Sequence, residues 1–242
     1  MPENSKPRPA VILLERYEAI GGWIYLPLFI LVLPVALTLA VHILGFNVLR
    51  ADVQLYLSVG LELFSVVLLA VLFHRYLGKS FRQARNFPRR FIVAVLAGVV
   101  IYYFGTTIMT YLTQLIEPGL ENINDNTIET LAGSGPVLTM IYAILLAPLV
   151  EELLFRGLIF TSLRPHSRFW AYAVSMVAFS LIHVMGYVGQ YPLHILALCF
   201  VQYLPASFAL AWALEYSGSI WASICLHMLA NTIAMSMMLL LK

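Results

Sequence analysis

The sequence has little charge. Of 242 residues, 11% are Asp, Glu, Lys or Arg, and 61% are hydrophobic. A soluble domain carries about 25% charged residues, so this chain lacks the means to cover a water-facing surface. That scarcity excludes a soluble enzyme, a disordered chain and a nucleic-acid binder, and no nucleic-acid partner is expected. Cysteine is equally scarce. Cys199 and Cys225 lie inside apolar runs with no CxxC spacing, which excludes a disulfide framework and a structural zinc site. Both read as small buried hydrophobes. No A-x-A-like cleavage site follows the first apolar run, which is too long for a signal-peptide core and is read as a membrane span. Internal repeats and the strand alternation of an outer-membrane barrel are missing too.

Long apolar runs are what the sequence has in abundance. A span needs roughly 20 mostly apolar residues to cross about 30 Å of hydrocarbon. The runs that qualify are approximately 22–44, 53–74, 91–116, 136–163, 168–186, 191–214 and 219–241. Backbone groups in lipid must be satisfied within their own segment, so the expected fold class is all-α, a polytopic membrane bundle of about seven helices. The expected organisation is a cytoplasmic tail over 1–21, N-terminal spans and an external loop over 22–134, and a C-terminal helix core over 135–242.

Basic residues orient the bundle. Lys6, Arg8 and Arg16 precede the first span. Arg75, Lys79, Arg82, Arg85, Arg89 and Arg90 crowd the connection near 75–90, and Arg164 and Arg168 flank the turn after the fourth span. Only Arg50 and Lys242 fall on the opposite side. Alternation through seven spans then puts the N-terminus in the cytoplasm and the C-terminus outside, in the cell membrane. The stretch 117–134 has no Lys or Arg and reads as a polar external loop. The arginines near 75–90 read first as a topology determinant and second as a holder of anionic lipid head groups.

An ionisable residue inside a span is costly and marks function by default. Glu151, Glu152, Arg156, His183 and His227 stand out, joined by Asn231. Glu152 and Arg156 are four apart with Glu first, the spacing of an ion pair along one helix face. Glu151 lies roughly 100° round the helix, free to present a carboxylate elsewhere. His227 and Asn231 share a face at i, i+4. Measured from the turn near 164–167, Glu151 lies about 20 Å up its span and His183 about 22 Å up the next. His227 and Asn231 lie about 12 and 18 Å up the last. All four fit one layer near mid-bilayer. Glu62, also at mid-span, reads either as support for the site or as the partner of a polar group in the bundle, and the sequence does not choose between them.

A carboxylate, an imidazole and a His–Asn donor pair are the parts of a hydrolase. Glu151 suits a general base acting on water, His183 its partner, and His227 with Asn231 the donors to an oxyanion. No serine or cysteine stands beside a base. Two His and one Glu is also a catalytic zinc ligand set, although HExxH is absent. The residues alone leave the two mechanisms open.

EExxxR at 151–156, FxxxH at 179–183 and HxxxN at 227–231, in that order on successive spans, resemble the CAAX protease and bacteriocin-processing (CPBP) family of intramembrane proteases. The resemblance runs over roughly 135–241 and takes in Gly218-Ser219-Ile220-Trp221 before the last span. It implies a membrane endopeptidase with Glu151 and His183 activating water and His227 and Asn231 forming the oxyanion site. Glu152, Arg156 and Phe179 would be supporting members. The family has also been described as metalloproteases, which keeps a divalent metal such as zinc open as a cofactor. Where many members have glycines before the last span, this chain has Pro205, Ala206, Ser207 and Ala209.

Near the N-terminus, Tyr17 to Pro27 resembles the GGWL-type opening of a small bacterial membrane family of unknown function. It reads equally as an interfacial Trp/Tyr anchor. The expected partners are a peptide or membrane-protein substrate and the lipid bilayer. The alternative functions are a non-catalytic regulator or bacteriocin-immunity protein on the same fold and, ranked lower for want of an inverted repeat, a proton-coupled transporter.

Overall fold

A computed structural model describes residues 10–240. Lys6, Arg8 and Lys242, used above to orient the chain, lie outside the described residues. Among the described residues the protein is an all-α polytopic bundle with seven helices long and apolar enough to cross a membrane. They are α1 (Arg16–Ile43), α2 (Ala51–Leu72), α4 (Pro88–Ile116), α6 (Pro136–Leu163), α7 (Arg168–Met185), α8 (Leu193–Ser217) and α9 (Ile220–Leu240). Two shorter helices, α3 (His74–Asn86) and α5 (Ile123–Ser134), complete the described residues.

The spans fall where the hydrophobic runs put them, with three differences. First, α1 begins at Arg16, so residues 16–21 belong to the span and not to the tail. Glu18 causes this: it completes a capping box with Glu15, and its other oxygen accepts from the Tyr76 backbone N–H at 2.9 Å. That bond ties the start of α1 to the start of α3. Second, the arginine-rich connection is helical. α3 buries Tyr76 and Ser80 and exposes Arg75, Arg82 and Arg85, an amphipathic pattern that hydropathy alone reads as a loop. Third, 117–134 is not merely a polar loop. Asn122 caps α5 through a bond to the Asn124 N–H at 3.0 Å. Ile123, Leu131 and Ala132 then bury one face of the helix.

The turn before the last span is built for docking. Gly218 adopts φ +73°, the left-handed geometry that ends a helix, and caps α8. Ser219 donates to the Ser80 carbonyl, the Ile220 N–H donates to the Ser80 hydroxyl, and the Trp221 indole donates to the Leu77 carbonyl. The stretch Gly218–Trp221 is therefore the seat of α3. Cys199 is buried as expected, whereas Cys225 is half-buried.

α4 packs most closely on α8 and α9, and it does so through glycine. A Cβ at Gly105 would stand 2.7 Å from Cβ of Pro205, and one at Gly98 would stand 2.5 Å from Leu226. The proline ring cannot yield as a leucine tip can. α8 runs on through Pro205, whose ring occupies the notch left by Gly105. Gly105→Val is expected to cost about 1–3 kcal/mol by overpacking, read as a lower melting temperature in detergent.

Candidate active site

α6 carries the charged motif, and Pro148 shapes the helix there. Residues 141–146 are π-helical, with the Ala147 N–H bonded to the Tyr142 carbonyl five residues back. The same register would pair the Ala143 carbonyl with position 148, where proline has no N–H. The Asn231 side chain supplies the missing donor, Nδ2 lying 2.7 Å from the Ala143 carbonyl oxygen. A second π-helical stretch, Glu152–Phe160, holds the rest of the motif. There Ser175 donates to the Phe155 carbonyl at 2.9 Å and Thr161 to that of Gly157. Such π segments recur at functional sites.

Glu152 and Arg156 are fully buried and paired, Nη1 to Oε1 at 3.2 Å. Arg156 Nη2 donates to the carbonyl and hydroxyl oxygens of Ser207 at 3.1 and 2.8 Å. Its guanidinium lies 4.2 Å from the centre of the Phe179 ring, within cation–π range. Glu152 Oε1 also meets His227 Nδ1 at 2.9 Å, and Oε2 accepts from the Ser223 hydroxyl. A carboxylate with these partners only accepts, so His227 carries its proton on Nδ1. His183 Nδ1 lies 2.8 Å from the Phe179 carbonyl and by the same logic donates to it. The His183 ring packs between Tyr203 and Phe179, with centroids 4.3 and 4.6 Å away.

Both imidazoles therefore turn Nε2 toward one point, and Glu151 occupies it. Glu151 Oε2 lies 3.9 Å from His183 Nε2 and 3.9 Å from His227 Nε2, with no hydrogen-bonding partner of its own. Two atoms that share one water at about 2.7–2.8 Å stand about 3.8–4.6 Å apart, so the gap suits a bound water.

These groups line a cavity of about 660 Å³, in the range of ligand pockets. It runs from Glu151 and His227 to the turn at 120–126, at the end of the bundle opposite α3. Asn231 lines it as well. Above the histidines, Tyr203 donates to the Asn122 side chain at 2.9 Å, Asn122 to Gln202 at 2.9 Å, and Gln202 to Thr113 at 2.7 Å. Asp125 opens onto the cavity from α5, and desolvation by the surrounding protein pushes its carboxyl up to about 6. At the other end, the Lys79 ammonium bonded to Glu15 lowers that carboxyl below its ordinary value.

Of the residues singled out from sequence, Glu151, His183 and His227 converge. Glu152, Arg156 and Phe179 form the layer beneath them. Asn231 differs in part, because one of its amide donors is committed to the Ala143 carbonyl. Sequence reasoning passed over Ser223, Ser207 and Tyr203. Ser223 was within reach, since it precedes His227 and Asn231 on one helix face at steps of four. The link from Ser207 to Arg156 was not, because it joins helices 51 residues apart in sequence.

The donor set is not spaced for a metal ion. Neighbouring ligands on one tetrahedral zinc stand about 3.3 Å apart, given bonds near 2.0–2.1 Å. The separations of 3.9 Å exceed this, and among the described residues no group of three His, Cys, Asp or Glu is arranged to hold a metal. The residues as placed do not fit one.

Fold and site together define a multi-pass membrane protein with a carboxylate–histidine centre buried between its helices. Residues 133–233 match the family model described as type II CAAX prenyl endopeptidase, Rce1-like. Over these residues the chain is similar to the CAAX proteases, intramembrane proteases of the CPBP type, and the match supports an intramembrane endopeptidase in general. Comparison with curated proteins and with solved structures returned no match.

Proposed function

We propose that the protein hydrolyses a peptide bond of a membrane-associated peptide or membrane protein by a glutamate-activated water. The observation that carries this reading is the unpartnered Glu151 Oε2, held 3.9 Å from two imidazole Nε2 atoms whose other nitrogens are already bonded. A water there donates one hydrogen to Glu151 and the other to His183 Nε2. Glu151 takes a proton as the water oxygen attacks the carbonyl carbon. The carbonyl oxygen gains negative charge facing His227 and Asn231. His227, backed by the Glu152 carboxylate, donates from Nε2 when protonated, and Asn231 has a second amide N–H to offer. The proton on Glu151 then goes to the departing amine, which restores the carboxylate. Arg156 and Ser223 hold Glu152 in place throughout.

The arrangement of basic residues supports an N-terminus in the cytoplasm and a C-terminus outside, in the cell membrane, with α3 on the cytoplasmic side. In this orientation the cavity opens externally.

The test compares cells making the wild-type protein with cells making Glu151→Gln at matched level, profiling membrane-derived and secreted peptides by mass spectrometry. Peptides that vanish only with Glu151→Gln are the expected result, and identical profiles would sink the reading. With purified protein and such a peptide, His183→Ala is expected to lower turnover about 10²-fold, the lower end for loss of a proton-transfer partner.

A further inference from the structure

Glu62 is the one charged side chain that the N-terminal spans bring to mid-membrane, and neither the family match nor the mechanism above uses it. It stands on α2, outside residues 133–233. It is 7% exposed, one carboxylate oxygen has no hydrogen-bonding partner, and the side chain lines the same cavity as Glu151. A buried carboxylate without a partner is expensive, and among the described residues no cation relieves it. Among the described residues, the cavity lining holds four carboxylates, Glu62, Glu121, Asp125 and Glu151, and no Lys or Arg. The arginine of the active-site motif is turned the other way, into Glu152 and Ser207. The chamber thus presents carboxyl groups and no cation from its floor to its mouth, with neutral donors and acceptors (Asn122, Gln202, Tyr203) between.

We propose that this cavity selects substrates by a positive charge, a Lys or Arg side chain carried close to the scissile bond, which pairs with Glu62. The inference rests on the hydrolase reading for what happens next, but the pairing itself is a binding event. A cationic side chain entering the cavity exchanges its hydration for Glu62 and the polar wall, and it relieves the unpaired carboxylate. A substrate with a carboxylate at the same place meets four acidic groups and no cation.

Binding is measured first, so that turnover does not enter. Full-length protein carrying Glu151→Gln, in liposomes, is titrated with fluorescein-labelled apolar peptides, acetylated and amidated at their ends. These differ only in having Lys, norleucine or Glu at one central position. Lys is expected to bind roughly tenfold tighter than norleucine, the low end for close charge pairs, and Glu weaker than either. In the Glu62→Gln/Glu151→Gln protein the Lys advantage is expected to fall to about onefold. Should that protein not accumulate, Asp125→Asn/Glu151→Gln, altered at the cavity mouth, is expected to narrow the spread between Lys and Glu. Equal binding of Lys and norleucine overturns the proposal, as does a Lys preference that survives without Glu62. The wild-type protein is then assayed for cleavage of the same peptides. Cleavage without preference overturns this inference alone. Preference without cleavage retains the cation site and overturns only the hydrolase reading.

Discussion

Glu151→Gln is expected to reduce peptide cleavage by about 10³-fold or more while the protein accumulates normally. The change preserves size and removes only the ability to take a proton. General-base catalysis contributes about 10²–10⁴-fold, and a nucleophile as weak as neutral water depends heavily on its base. Folding is spared because Glu151 Oε2 has no hydrogen-bonding partner to lose. An amide also relieves the cost of placing two adjacent carboxylates at membrane depth. The measurement is single-turnover cleavage of a substrate peptide by purified protein, alongside its melting temperature. Retention of wild-type turnover would show that the base lies elsewhere.

Arg156→Ala is expected to do the reverse, losing the protein before any assay of chemistry. Arg156 and Glu152 are both fully buried, and Glu152 also holds His227. Removing one partner of a buried pair costs about 3–5 kcal/mol, because the other charge is left uncompensated. The bonds to Ser207 and the contact with the Phe179 ring go with it. Lysine should not rescue, since a single ammonium cannot span Glu152 and Ser207 as the forked guanidinium does. Expression level and thermal unfolding in detergent check this. Adding Glu152→Gln to Arg156→Ala should recover part of the loss, since the orphaned charge disappears and the two sites couple. A variant with Arg156→Ala as stable as wild type would mean that the pair contributes nothing to folding.

The legibility of the sequence varied with the kind of signal. The seven spans were readable to within a few residues, because the bilayer imposes length and hydropathy on each segment independently of its neighbours. The pairing of Glu152 with Arg156 was readable because it obeys helix spacing. The common depth of Glu151 and His183 followed from rise per residue alone, whereas the same count left His227 about 8–10 Å lower. The amphipathic helices α3 and α5 were not readable from hydropathy, since each is mostly polar and is held by single caps and side-chain bonds. Glu18 capping α3 across 58 residues is one such bond.

By itself, then, the sequence determined the class of protein, the number of spans and the residues that carry charge into the membrane. Only the tertiary structure decided how those residues are used. It turned both imidazoles toward Glu151 by occupying their Nδ1 atoms with the Phe179 carbonyl and Glu152. It spent one Asn231 donor on the carbonyl that Pro148 leaves unpaired, and it brought Glu62 from a distant span to the cavity wall. The physical reason is the same in each case. Spans form under local constraints of length and backbone satisfaction, whereas the partner of a buried polar group is set by whichever helix packs against it.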